Sequence, residues 1–271
     1  MDNKLRFIDS LRLGRDRHHE SEAASVEPAP VELAAAAEFR ALRPRSHVLE
    51  ESQRERERLL PAGGVLGVTG GAYKMLRTQV LRRLKELGAN TLAILSAGNG
   101  EGKTLSAINL AVAIAADPGH TVLLVDLDLR NPSIHRRLGL EPEIGVEDCL
   151  ARQRPVHEAL VRLAGYERLT LLPARCRVEM SSELLASERT AELVHELRAR
   201  YVNRIVIFDL PPVLLADDAL TFSRLVQAGL LVVTEGTTIR DEITRSIELL
   251  RHLPIIGTVL NRSGDNPGVY Y

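Results

Sequence analysis

The sequence predicts an α/β protein: a mostly parallel central sheet with helices on both faces, preceded by a largely disordered N-terminal arm. Three observations carry that reading. From Val65 onward, short apolar runs alternate with amphipathic stretches, the pattern of repeated strand–helix–strand units. One of those runs ends in a glycine-rich turn that opens a helix. Before about residue 62 the chain is instead rich in Glu, Arg, Ala and Pro, with mixed-charge runs such as Glu50 to Arg58 that can bury little apolar surface.

In chain order, residues 1–62 read as a solvated arm with transient helix near 31–42 and 48–60; a docking segment for a partner is the alternative. The adjacent His18 and His19 fall in this arm and read as a solvated pair. Residues 63–265 read as the folded domain and 266–271 as a flexible tail. The first domain helix is expected from about Ala72 to Leu87. Strands are expected at Thr91 to Ser96, Val122 to Val125, Leu169 to Leu172, Ile205 to Phe208, Leu230 to Val233 and Ile255 to Leu260, each too short for a typical buried helix. Helical patterns fall at about 103–116, 155–163, 182–200, 217–227 and 240–252, and no internal repeat is visible. Ser181-Ser182-Glu183 reads as a helix N-cap with an acidic first turn.

Composition narrows the function. A chain of 271 residues, 45% hydrophobic with a formal net charge of −1, holds one full core plus an extra segment. Aromatics are 3% and Trp is absent, so base-stacking platforms are missing and nucleic acid is a poor first guess. Cys149 and Cys176 belong to no metal or redox motif and read as reduced thiols. No apolar run approaches the roughly 18 to 20 residues needed to span a bilayer, and the N-terminus leads into charge, so a cytoplasmic location is expected.

The chemistry concentrates in Ala97-Gly98-Asn99-Gly100-Glu101-Gly102-Lys103-Thr104. Gly98, Gly100 and Gly102 let the backbone approach phosphate oxygens, and the following helix (Leu105, Ile108, Leu110, Ala111, Ile114) aims its N-terminal N–H groups at an anion. Lys103 is expected on the β- and γ-phosphates, and the Thr104 hydroxyl on Mg2+. The first position of this P-loop pattern, usually Gly, is Ala97. That exchange is harmless only if Ala97 needs no positive φ. Two further strands end in carboxylates: Leu123-Leu124-Val125-Asp126-Leu127-Asp128-Leu129-Arg130 and Val206-Ile207-Phe208-Asp209-Leu210-Pro211-Pro212. In a parallel sheet both would lie at the carboxyl edge beside the loop, where they can hold Mg2+ or its waters. Arg136 and Arg137 could meet nucleotide or an acidic tail, or form a solvated helix face.

The order of these motifs resembles the deviant P-loop ATPases and, within them, the bacterial tyrosine autokinases of capsule and exopolysaccharide assembly. The resemblance covers about 70–271 and rests on Ala72 to Thr78, Glu101 to Thr104, Asp126 to Pro132, Asp209 to Leu214, Asp218-Ala219 and Thr258 to Asn261. It implies ATP and Mg2+ as cofactors, with Gly98 to Leu105, Asn261 and Arg262 around the nucleotide and Asn261 recognising adenine. It further implies Asp126 as base toward the attacking hydroxyl, Asp128 as a metal or water partner, and Thr104, Asp126 and Asp209 around the metal. Lys103, Asp126, Asp128 and Asp209 form the implied catalytic set, and Tyr270 and Tyr271 stand where the family carries tyrosines phosphorylated in trans.

The implied partners are a membrane polysaccharide co-polymerase, a chain-length determinant acting as activator at the inner membrane, and further copies of the chain. The family's Glu-x-x-Arg-x-x-Arg oligomerisation motif falls on Gly71, Lys74 and Arg77, so the acid is missing and one Arg is Lys. Two alternatives remain at this stage. One is a positioning ATPase of the partitioning and division-site type, which would carry Lys where Gly98 stands. The other is an ATP-binding regulatory partner with weak kinase activity.

Overall fold

Two period-2 patterns laid over each other explain why the central strands read as unbroken apolar runs. In the computed structural model, which describes residues 6–8, 45–62, 67–199 and 203–263, successive strand residues enter opposite cores. Leu92, Ile94, Val122, Leu124, Ile205, Ile207, Leu230 and Val232 face one cluster. Ala93, Leu95, Leu123, Val125, Val206, Phe208, Leu231 and Val233 face the other. A sheet covered on both faces needs both sets apolar, as parallel sheets do.

The strands are β1 (Arg6–Ile8), β2 (Arg45–His47), β3 (Thr91–Ser96), β4 (Thr121–Asp126), β5 (Val161–Leu163), β6 (Leu169–Leu172), β7 (Arg204–Asp209), β8 (Ala228–Thr234) and β9 (Ile255–Asn261). They form one sheet in the order β1-β9-β8-β3-β7-β4-β6-β5-β2. The six strands from β9 to β6 run parallel to their neighbours, while β1 and β5 pair antiparallel with β9 and β6. Register sets Asp126 directly opposite Asp209. The carboxyl ends of β3, β4 and β7 therefore converge on one edge.

The helix Gly67–Glu86 buries Tyr73, Leu76, Val80 and Leu84 at helical spacing against the first core. The helix Lys103–Ala115 is buried from Ser106 onward because it lies between that helix and the sheet. The helix Glu188–Ala199 covers the other face through Thr190, Leu193, Val194 and Leu197. No helix among the described residues is long and apolar enough to cross a membrane.

Several expectations change, among them the helix expected at 217–227, which is only Asp218–Phe222. The helix expected at 155–163 is only Val156–Ala159; Leu160 turns extended and Val161–Leu163 becomes β5, its Arg162 outward between two buried neighbours. The helix expected at 182–200 breaks into Ser181–Leu185 and Glu188–Ala199. Between them the Ser187 hydroxyl donates to Leu184 O (2.7 Å) and accepts from Thr190 N (3.3 Å), ending one helix and capping the next. Met180, not a serine, occupies the cap of the first piece, and Ser182 donates instead to Asp217 Oδ1 (2.8 Å).

The larger change is at residues 45–62, expected in the solvated arm. Arg45–His47 pairs with β5, Glu51–Arg56 is helical, and Leu59 and Leu60 are buried. Leu60 N donates to Asn109 Oδ1 (2.8 Å), Asn109 Nδ2 donates to Arg58 O (3.1 Å), and Tyr166 OH donates to Leu60 O (2.9 Å). This strap is anchored by partners at least 49 residues away in sequence, which no local pattern reveals. Arg6–Ile8, also expected in the solvated arm, pairs antiparallel with β9. The rest of the arm, including the expected helix at 31–42 and the His18-His19 pair, lies outside the described residues, as does the tail with Tyr270 and Tyr271.

Candidate active site

Each element of the site follows from a strand that ends at the carboxyl edge. After β3 the chain turns through residues 97–102, with Gly100 at φ 77° and Gly102, the cap of the next helix, at φ 86°. A Cβ on Gly102 would stand 2.0 Å from Asn261 Nδ2, so both conformation and space require glycine there. Ala97 is not among the residues with positive φ, so its replacement of the usual Gly costs no backbone strain.

Lys103 is buried, and its ammonium donates to Asp209 Oδ1 (2.7 Å) and approaches Asp128 Oδ2 (3.4 Å). Burial pulls the Lys103 pKa down, but the charges of Asp209, Asp128 and Asp126 outweigh it and the pKa is raised. The Thr104 hydroxyl donates to Asp209 Oδ2 (2.7 Å) and accepts from the Ser133 hydroxyl (3.3 Å). Asp209 thus joins the lysine and the threonine of the phosphate loop.

The two carboxylates after β4 differ. Asp128 lines a cleft of about 460 Å³ whose other walls are the phosphate loop, Arg130, Asn131, Ser133, Arg136 and Arg137, and the segment Pro211, Pro212, Leu215 and Ala216. Burial raises its pKa, with Asp209 adding and Lys103 opposing. Asp126 is fully buried and does not line that cleft. Its Oδ2 accepts from Ser133 N (3.1 Å) and Ile134 N (3.0 Å), and its Oδ1 from Asp128 N (3.3 Å). Burial first, and the facing Asp209 second, push Asp126 up to about 8. The expectation that Asp126 itself faces an attacking hydroxyl is therefore revised: Asp128 stands on the wall, and Asp126 stands behind it, fixing the segment that follows.

Two other expected residues serve the loop from within. Asn261 is buried; its Nδ2 donates to Glu101 O (2.8 Å) and its Oδ1 accepts from Arg262 N (2.9 Å), so its amide is engaged by the chain rather than offered to an adenine edge. Glu101 turns inward, accepting from Gly98 N (3.1 Å) and Thr238 Oγ1 (2.5 Å), and its backbone oxygen also receives Thr234 Oγ1 (3.2 Å). Arg262, at φ 57°, reaches over the loop to Gly100 O (3.1 Å), while Asn99 and Gly100 are exposed. Leu105 is half-buried in the first turn of the helix and packs on the core.

Sequence reasoning gave no site role to Ser133, or to Asn131, Pro211 and Pro212, which stood in its motifs and line the cleft. The run Asn131-Pro132-Ser133 before an apolar residue is a helix-start signal that could have marked the first of these. Among the described residues no three His, Cys, Asp or Glu side chains gather as a ready cation site. The oxygen donors present, Thr104 Oγ1 and Asp209 Oδ2, fit Mg2+, which takes one or two protein oxygens and completes its shell with phosphate and water.

A family model for ParA, described as NUBPL iron-transfer P-loop NTPase, matches residues 88–266. The chain is 31% identical over 191 residues to the tyrosine-protein kinase YwqD of Bacillus subtilis (strain 168), spanning 70% of this chain and 79% of that protein. It is 33% identical over 218 residues to the putative tyrosine-protein kinase AmsA of Erwinia amylovora, spanning 78% of this chain but only 29% of that longer protein. Among solved structures, the kinase domain of the Escherichia coli tyrosine kinase ETK superposes with a TM-score of 0.66 at 25% identity, covering 89% of this chain and 97% of that domain.

Proposed function

The chain belongs to the ParA-like P-loop NTPases and, within them, to the bacterial tyrosine-protein kinases, and from that premise we propose that it transfers the γ-phosphoryl group of Mg-ATP to tyrosine hydroxyls. The observation that carries this is the Lys103–Asp209–Thr104 cluster set beside the Asp126/Asp128 pair at one sheet edge. Gly98, where a positioning ATPase would carry its signature lysine, supports the kinase over the switch.

The loop N–H groups and the start of the helix Lys103–Ala115 receive phosphate oxygens, and Lys103 exchanges its carboxylate contacts for the β- and γ-phosphates. Thr104 and Asp209 would hold Mg2+, which would supply charge neutralisation at the phosphates. A tyrosine hydroxyl, with an ordinary pKa of about 10, needs a proton acceptor at neutral pH. Asp128, on the cleft wall, is the acceptor in this reading, and Asp126 behind it fixes Asp128 N and the segment that follows. The phosphorus–oxygen bond to the leaving ADP breaks as the bond to the tyrosine oxygen forms, and the phenolic proton passes to Asp128.

Tyr270 and Tyr271 are the proposed acceptors, presented in trans by another copy of the chain. The proposed setting is polysaccharide assembly, with a membrane co-polymerase as activator and docking partner at the inner membrane. Incubation of the full chain with Mg-ATP, with and without the cytoplasmic segment of such a partner, followed by phosphotyrosine mapping, tests this. Label on tyrosine that disappears in Lys103→Met is expected; absence of phosphotyrosine under every condition overturns the reading.

A further inference from the structure

The cleft holds more positive charge than its phosphate loop requires. Besides Lys103, three arginines line it: Arg130, Arg136 and Arg137. Two are neutralised in place. Arg130 donates through Nε to the buried Asp218 (2.8 Å) and meets Asp217 (3.3 Å), and Arg137 pairs with Glu57 of the strap (2.8 Å). Arg136 is exposed; its guanidinium donates to the neutral Asn131 Oδ1 (3.0 Å) and forms no ion pair among the described residues.

The backbone that carries Arg136 is pinned from two sides. Ser133 N and Ile134 N are bound to Asp126 Oδ2, and Gln53 Nε2 donates to both Arg136 O (3.1 Å) and Arg137 O (3.0 Å). The backbone that carries the cation is therefore held in a fixed relation to Asp128, the carboxylate on the cleft wall. A planar, solvent-facing guanidinium with an unfilled fork is suited to a carboxylate. The phosphates already have the loop N–H groups, the helix N-terminus and Lys103.

We propose that Arg136 is a specificity-determining residue that selects acceptor segments carrying an acidic side chain close to the tyrosine. The inference rests on the kinase reading of the same cleft and names its substrate class: acidic tyrosine peptides.

The test uses the full chain with Mg-ATP and three peptides of equal length, the tyrosine flanked by Glu, Gln or Lys. One charge-assisted pair corresponds to a KM about tenfold lower for the Glu-flanked peptide than for the Gln-flanked one. Arg136→Glu is expected to erase or invert that order through the peptide KM rather than through the KM for ATP, and Arg136→Lys to keep part of it. Far-ultraviolet circular dichroism and Mg-nucleotide binding verify that each variant is folded. Unchanged discrimination in Arg136→Glu overturns the proposal. So does an equal rise in the KM for ATP with all three peptides, which would assign the cation to nucleotide phosphate. If no peptide is phosphorylated, anisotropy of the labelled peptides with the chain, Mg2+ and a non-hydrolysable ATP analogue separates the two readings. Charge-dependent binding that Arg136→Glu abolishes upholds the selection while the kinase reading falls; binding blind to charge, or none, overturns the selection as well.

Discussion

The phosphate-loop end of the sheet and the strap at residues 45–62 are stabilised in opposite ways. At the loop, polar and charged groups are buried and satisfied by one another: Lys103 by Asp209 and Asp128, Asn261 by Glu101 O, Asp126 by three backbone N–H groups. At the strap, a mostly exposed charged helix is fastened by two buried leucines and one buried amide, Asn109. The comparison teaches that function is concentrated where burial is electrostatically expensive, while attachment relies on apolar area with a few long-range hydrogen bonds. The two regions still touch, because Gln53 and Glu57 hold the segment that bears Arg136 and Arg137.

The sharpest way to break the contrast is Lys103→Met. Phosphoryl transfer is expected to fall on the order of 10²–10³-fold in a single-turnover assay. The variant also leaves the buried Asp209 without its cation, a loss of about 3 kcal/mol in urea unfolding at pH 9. Intact transfer would show that the lysine only neutralises the aspartates.

Leu60→Ala probes the other region. Removing a buried side chain at the strap is expected to cost about 2–4 kcal/mol of stability and to expose residues 45–62 to limited proteolysis. Mg-nucleotide affinity should move far less than in Lys103→Met. A comparable loss of affinity would mean that the strap and the loop form one energetic unit.

Gly102→Ala sharpens the role of conformation in the loop. The left-handed φ of 86° and the 2.0 Å approach of Asn261 predict a loss of about 1–3 kcal/mol, relieved in part by Asn261→Gly in the same chain. Equal costs for Gly102→Ala with and without Asn261 would refute the contact as the cause.

Asp126 adds a pH dependence of stability at the same end of the sheet. Its pKa is raised from 3.8 to about 8 in the folded chain, so between those values the folded state holds a proton that the unfolded state has lost. That contribution is fully present below about pH 4 and disappears as pH rises through about 8, so this group makes the nucleotide-free chain less stable with rising pH. Urea midpoints of the wild type and Asp126→Asn at pH 5, 6.5 and 8 measure it. The variant should show the shallower fall, and parallel pH profiles would remove Asp126 as the source.

The six central strands were legible because each must be apolar on both faces, and a run such as Leu92 to Leu95 has no other economical reading. The loop was legible because Gly98, Gly100, Gly102, Lys103 and Thr104 stand in a spacing set by phosphate geometry. β5 was hidden inside a helical pattern, since Val161 and Leu163 flank a single exposed Arg162, too short a stretch for period 2 to outweigh period 3.6. Asn261 and Glu101 show a different limit: a polar residue near a phosphate loop reads as a ligand, and its hydrogen bonds within the chain are invisible in the sequence.

The sequence by itself determined the sheet, the phosphate loop and the identity of the charged groups, because periodicity and motif spacing are local properties of the chain. Tertiary structure alone decided which carboxylate lines the cleft, which of the cleft's arginines forms no ion pair among the described residues, and that residues 45–62 belong to the domain. Those outcomes depend on pairings such as Asp126 with Asp209, Glu57 with Arg137 and Leu60 with Asn109, between residues dozens of positions apart. Burial and charge neutralisation are set by what arrives from elsewhere in the chain, so no window of sequence contains them.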